Sequence, residues 1–190
     1  MKAITLYHPF PELVAFEQKL NETRSWETPF RGPIAIHVAT SRKPWHMDLA
    51  FQEPFFSALT PLHTEITTNG GVKSIGMKLH LGKVIAICNL VDCIKITPEF
   101  VASLSEKERV FGDYTIGRFA WKIEDVHQLK EPIMEKGKQR LWNFDETPHL
   151  VAIDPYAIGS TKIWTPKGVR SGRKLDRHDE DAARGLEVVA

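Results

Sequence analysis

The sequence predicts an α+β domain in which several strands share one mixed or antiparallel sheet and the intervening helices are short. Three observations carry this. Residues 33–39 and 118–124 alternate in a period of two, the pattern of strands with distinct faces. Residues 83–96 form the most continuous apolar run, interrupted only near its end by Asp92 and Lys95, as expected of a central strand buried on much of both faces. Pro44, Pro54 and Pro61 divide residues 41–62 into pieces too short for a long helix.

Length and composition set the frame. A chain of 190 residues holds one domain with a real core but not two large ones. The reading is a domain at 1–145, an extension at 146–170 packed on it, and a charged tail at 171–190, poor in apolar side chains and expected to be disordered. With 25 basic and 24 acidic side chains the formal charge is +1, which excludes a polycation coating nucleic acid, so any such contact must be local. No apolar stretch has the length of a membrane span, and Met-Lys-Ala-Ile-Thr opens as a strand rather than a signal peptide. A cytoplasmic location and no membrane partner are expected; oligomeric state is open. Cys88 and Cys93, five apart in one strand, face opposite ways and are expected as buried free thiols. The sequence has no P-loop, dinucleotide fingerprint, nucleophile elbow or zinc spacing, and its histidines are scattered, so neither cofactor nor metal is expected.

Taken in order, residues 3–7 are β-rich and His8-Pro9-Phe10-Pro11 breaks them before a helix, whose partial stripe of Leu13, Val14 and Phe16 runs on to Leu20. In 33–39, Ile34, Ile36 and Val38 take one face, and His37 takes the other between Ala35 and Ala39. Those small neighbours leave room to approach His37, although a satisfied, partly buried histidine is the simpler reading. Short helices are expected at 45–52 and 54–59, possible caps of one barrel end. Residues 67–73 (TTNGGVK) form a turn-rich connection. Thr97 followed by Pro98 starts a helix to about Leu104. In 118–124, Phe119, Trp121 and Ile123 point inward, while Arg118, Ala120, Lys122 and Glu124 point outward. Gly112 and Gly117 bracket a loop, either to admit a ligand or only to turn the chain. From Glu131 the chain reads as loop until 139–142, with Lys136 and Lys138 flanking Gly137 as a phosphate contact or an ordinary solvated pair.

The stretch with the densest chemistry is 19–33, KLNETRSWETPFRGP. On an extended 21–26 segment, Glu22, Arg24 and Trp26 share a face and Thr23 and Ser25 point away. The alternatives are a solvated edge strand and a pocket wall that holds a planar ligand against Trp26. Lys-x-x-Glu-x-Arg after a short helix, itself preceded by an N-terminal strand, resembles the signature of the ASCH family, named for activating-signal-cointegrator homology. MKAITLYHP, GPIAIHVA, FGDYTIGRFAW and EPIMEKGKQRLW are similar to the family's segments in order and spacing, over about residues 1–142. The resemblance implies an α+β fold, a small PUA-like mixed β-barrel flanked by short helices. One position departs: Glu17 stands where the family usually has glycine, which bears on how the chain reaches Lys19.

The resemblance also implies a site. Glu108 resembles the family's acid before the FGDY-like motif, and Lys19, Glu22, Arg24 and Glu108 are expected to line one concave surface with His37, their charges nearly cancelling. As a binding module, the cleft would take RNA or a nucleoside or nucleotide, with Trp26 stacking, Arg24 donating hydrogen bonds, and Gly112 and Lys138 assisting. As a metal-independent hydrolase, Lys19 would be nucleophile or base, its pKa lowered by Arg24, with Glu22 alongside and Glu108 shuttling a proton. Some family members are described as N4-acetylcytidine amidohydrolases using Lys, Thr and Glu, others as ribonucleases; Glu22 occupies the place of that threonine, and Thr23 is expected to face away. Lys19 is expected to contribute little core packing.

Overall fold

Residues 1–67 and 73–145 are described by the computed structural model; the interior of the 67–73 connection, the 146–170 extension and the 171–190 tail lie outside the described residues. The strands are β1 (Lys2–Leu6), β2 (Asn21–Arg24), β3 (Gly32–Val38), β4 (His63–Thr67), β5 (Lys73–Met77), β6 (Lys83–Lys95), β7 (Phe119–Met134) and β8 (Leu141–Asn143). The α-helices are α1 (Phe10–Ala15), α2 (Pro44–Ala50), α3 (Phe55–Ala58), α4 (Pro98–Ser103) and α5 (Glu106–Val110). Six strands form one curled sheet in the order β2-β7-β6-β3-β1-β8. It is mixed because β1 runs parallel to β3 while the other pairs are antiparallel. This curled half-barrel is the α+β, mixed barrel-like fold with short helices that the resemblance implies, and all four strands anticipated in the sequence share this sheet.

The apolar run of β6 places it between β7 and β3, with Val84 to Leu90 buried on both faces. Inside the curl, Ile4, Leu6, Ile34, Ile36, Val38, Leu90, Trp121 and Ile123 pack together. Trp121 is fully buried there, and truncating such a side chain to alanine costs about 3–5 kcal/mol. Outside it, Ala3, Ala35, Val84, Ile87, Leu129 and Trp142 make a second layer. Ala120, expected to point outward, is buried because Ile96 and Tyr114, with Phe100 and Val101 of α4, cover that face. Cys88 is a buried free thiol, but Cys93 is only half-buried because the sheet's cover thins toward the end of β6.

Other local expectations shift. β7 runs sixteen residues, well past Glu124, because pairing with β6 supports it as far as Met134. β4 and β5 form a separate hairpin that the sequence signals only as a turn. Thr97 caps α4 by accepting a hydrogen bond from Phe100 N at 3.2 Å. Ser105 does the same for α5 through Glu108 N at 3.1 Å, making a helix where only a charged connection was anticipated.

Helix α1 ends early, and the reason bears on the site. Glu17 takes φ +55, Glu17 N donates to Val14 O at 3.0 Å and Gln18 N donates to Leu13 O at 2.8 Å. This is the paired closure of a Schellman motif, in which glycine is preferred at the left-handed residue. The position therefore keeps the left-handed geometry, and a glutamate bears its strain. Two residues later the chain delivers Lys19.

Candidate functional site

The curled sheet does not close. β1 pairs with β3 through Leu6, but with β8 only over Lys2–Ile4, and β2 pairs with β7 along one edge. In the seam between these edges lies a cleft of ≈ 260 Å³. Thr5, Leu6 and Tyr7 line one side, Glu22, Thr23 and Arg24 the other, with Phe10, Lys19, Trp45, His46 and residues 111–113 completing it.

The floor is charged. Lys19 Nζ donates to Asn21 O and stands 4.0 Å from Glu22 Oε2, while Arg24 Nη2 is 3.2 Å from Glu22 Oε1. Lys19 is only 1 % exposed, so its expected lack of packing is corrected: it ranks with Trp121 and Phe111 among the largest fully buried side chains. Gly112 makes this burial possible. A β-carbon there would come within 3.0 Å of Lys19 Nζ and 2.7 Å of Tyr114 Cε2. Burial holds the Lys19 ammonium below its ordinary pKa, Glu22 and Glu108 oppose this, and Arg24 adds the smallest downward push. The direction matches the sequence expectation; the main cause is desolvation rather than the arginine.

Glu108 is held across a long sequence interval. It accepts from Leu20 N at 3.1 Å, Asn21 N at 3.0 Å, Asn21 Nδ2 at 3.3 Å and Tyr114 Oη at 2.7 Å. These four donors fix the position of the Glu108 side chain. Burial first, then the bond to Glu108, raises the pKa of the Tyr114 phenol, so it stays a donor. Its ring lies 5.7 Å from Lys19 Nζ. Glu108 thus joins the Lys19 charge cluster from behind and is not part of the cleft lining.

Opposite the floor stands an aromatic wall that the sequence reading did not anticipate. His46 lies 3.6 Å from the Trp45 ring, 5.4 Å from Tyr7 and 5.5 Å from Phe10, centroid to centroid. Trp45 is 62 % exposed and Tyr7 41 %, whereas His46 is buried. Burial lowers the His46 pKa, with His8 and Lys43 adding to it, so the ring is neutral at pH 7. Behind the wall the buried side chains of His8 and Glu12 meet at 3.1 Å. The available signal was Tyr7-His8-Pro9-Phe10 and Pro44-Trp45-His46, two aromatic clusters at proline breaks.

The remaining expected residues are dispersed. Trp26 lies beyond the end of β2 and packs edge-on against Trp121 at 4.6 Å, outside the cleft lining. His37 is buried on the outer layer, with Nε2 3.0 Å from Glu135 O and its ring 5.8 Å from Trp142. Desolvation lowers its pKa against the pull of the Glu135 and Gly82 backbone. Lys138 Nζ sits 5.7 Å from the Trp142 ring. Thr23, expected to face away, is in the cleft: its Oγ1 accepts from Asp113 N at 3.2 Å, so the 111–113 turn folds over that side of β2. Among the described residues no group of three or more His, Cys, Asp or Glu is arranged to hold a metal ion, and no helix is long and apolar enough to cross a membrane.

No protein-family model and no curated protein matches the chain. Among solved structures it is similar to ASCH from Zymomonas mobilis, with 17 % identity, a TM-score of 0.45, and coverage of 80 % of this chain and 94 % of that one. The likeness is one of fold.

Proposed function

We propose that the cleft binds one nucleoside or nucleotide, free or turned out of an RNA strand, with its planar base against the Tyr7–Trp45 wall and its polar edge toward Lys19, Glu22 and Arg24. The observation that carries this is the pairing of an exposed aromatic wall with a charge-balanced floor in one cleft. At ≈ 260 Å³ the cleft falls just below the range of about 300–1,000 Å³ for small-molecule sites, which favours one nucleoside over a long tract. The overall charge of +1 favours the same choice. Stacking on aromatic rings contributes about 1–3 kcal/mol per base and tolerates any base, so the floor supplies discrimination. Titration calorimetry with the four ribonucleosides, N4-acetylcytidine and a short single-stranded RNA tests this; no heat from any of them overturns it.

A second reading, metal-independent hydrolysis, is favoured by the depressed pKa of Lys19 in a cleft that Thr23 also lines. A larger neutral fraction lets the amine act as base toward a water attacking an acyl carbon, with Glu108 as a positioning residue behind it. Mass spectrometry of N4-acetylcytidine and short RNA incubated with the protein and a chelator tests turnover. Release of cytidine and acetate, lost in Lys19→Met, supports it; unchanged substrate removes it.

A further inference from the structure

The segment 135–140, between β7 and β8, has no role in the cleft as described, yet its placement is tightly specified. The β1–β8 ladder stops at Ile4 opposite Leu141, so one further step in register would set Arg140 against Thr5, a cleft residue. The segment instead peels away and is pinned by its backbone: Glu135 N donates to Gly82 O at 3.0 Å, and Glu135 O lies 3.0 Å from His37 Nε2. Gly137 presses on the same place. A β-carbon on it would stand 2.4 Å from His37 Cε1 and 2.9 Å from Thr5 Oγ1, so only glycine lets the loop seat against this edge of the seam.

Beyond Glu135, which opens the loop, its charged side chains are all cationic. Lys136, Lys138 and Arg140 are exposed, and among the described residues none forms a salt bridge. Glu135, the nearest acid in sequence, turns back to accept from Lys136 N at 2.8 Å. Lys138 rests over Trp142, and Arg140 rests over Trp26 at 5.6 Å, two residues beyond the cleft residue Arg24. Arg140 also takes φ +58, a conformation non-glycine residues seldom adopt. The loop therefore spans the seam, from Thr5 on one side to Trp26 on the other. Cations held on aromatic faces keep their charge available to an incoming anion, which an ion pair with a carboxylate would not.

We propose that this loop is a phosphate-binding lip of the cleft, and that the ligand is a nucleoside bearing a phosphate, as a free nucleotide or as one unit of an RNA strand. It rests on the nucleoside reading of the cleft and adds the anion to it. Lys136, Lys138 and Arg140 meet the phosphate at the mouth while the base enters between wall and floor.

The test compares uridine, cytidine, adenosine and guanosine with their 5′-monophosphates and with a uridine tetranucleotide, by calorimetry at low and high salt. In the wild type a phosphate is expected to tighten binding about tenfold at low salt and less at high salt, the scale of a charge-assisted contact discounted for exposure. Lys136→Gln/Lys138→Gln, and separately Arg140→Gln, are expected to bring that gain below about threefold. Nucleoside affinity in the same variants is the internal measure that the cleft is intact. Nucleoside binding with no phosphate gain, or a gain that survives both variants, overturns the lip alone. Absence of binding by nucleosides, nucleotides and the oligonucleotide overturns the nucleoside reading and the lip with it. A gain in the tetranucleotide but not in the monophosphates assigns the lip to a strand; the reverse assigns it to a free nucleotide.

Discussion

The floor of the cleft draws Lys19, Glu22 and Arg24 from six consecutive residues and secures them with Glu108 and Tyr114, whereas the wall gathers Tyr7, Phe10, Trp45 and His46 from two distant places in the chain. Lys19 and Glu22 in the floor are buried, Arg24 is half-buried, and each of these charges has a partner of opposite sign. The wall leaves its largest ring, Trp45, mostly in water. This difference separates two uses of the same cleft. Floor residues are bound up with the stability of the fold, so their loss is hard to read as a functional effect. The exposed wall residues Trp45 and Tyr7 contribute little to folding, and what they do is seen only when a ligand arrives.

The largest effect expected from this contrast is at Lys19. Lys19→Ala takes from Glu22 one of its two cationic partners and opens a cavity, and breaking a buried ion pair costs about 3–5 kcal/mol, to be read from urea unfolding. Lys19→Met keeps the volume and isolates the charge. An exposed lysine titrates near 10.5, and burial holds Lys19 below that. Between the depressed value and 10.5 the unfolded chain binds a proton that the folded chain does not. Wild-type stability relative to Lys19→Met is therefore lowest beneath this window and rises with pH through it. A difference that stays flat from pH 7 to 10.5 would remove the desolvated-lysine account.

Next in size is the wall. Trp45→Ala is expected to weaken nucleoside binding by about 1–3 kcal/mol while changing stability by no more than about 0.5 kcal/mol. Equal losses in binding and stability would erase the distinction between wall and floor. The smallest effect lies at the approach to the floor. Glu17→Gly removes a β-carbon from a left-handed residue and is expected to stabilise the protein by about 1 kcal/mol, with nucleoside affinity unchanged. A loss of stability there would mean that the glutamate side chain contributes more than its backbone strain removes.

How much of this was legible in the sequence follows the same division. Period-two patterning marked β3 and the first part of β7, and a continuous apolar run marked β6, because one-sided burial writes itself into alternation and two-sided burial into an unbroken apolar stretch. The floor was legible because its members are neighbours in sequence. The wall was not, because nothing local says that the Tyr7 end of β1 and the first turn of α2 meet. His37 and His46 make the point: alternation told that His37 shares a face with small residues, but not that this face is the outer layer beneath Gly137. Thr23 joins the cleft lining because the 111–113 turn, which also lines the cleft, folds over its side of β2, a contact that no local pattern signals.

The clamp of Glu108 on Leu20 and Asn21 spans 88 and 87 residues of chain. Loops of that length close slowly, and their closure entropy must be met before the contact returns any stabilisation. The helix that carries Glu108 is short and has no buried residue of its own, so it is held by this docking rather than by helix propensity. A chain that has formed β1, β3 and β6 but not yet docked α5 has a sheet and no finished floor. Ligand binding then reports completion of folding, and during refolding from urea it is expected to lag behind the burial of Trp121.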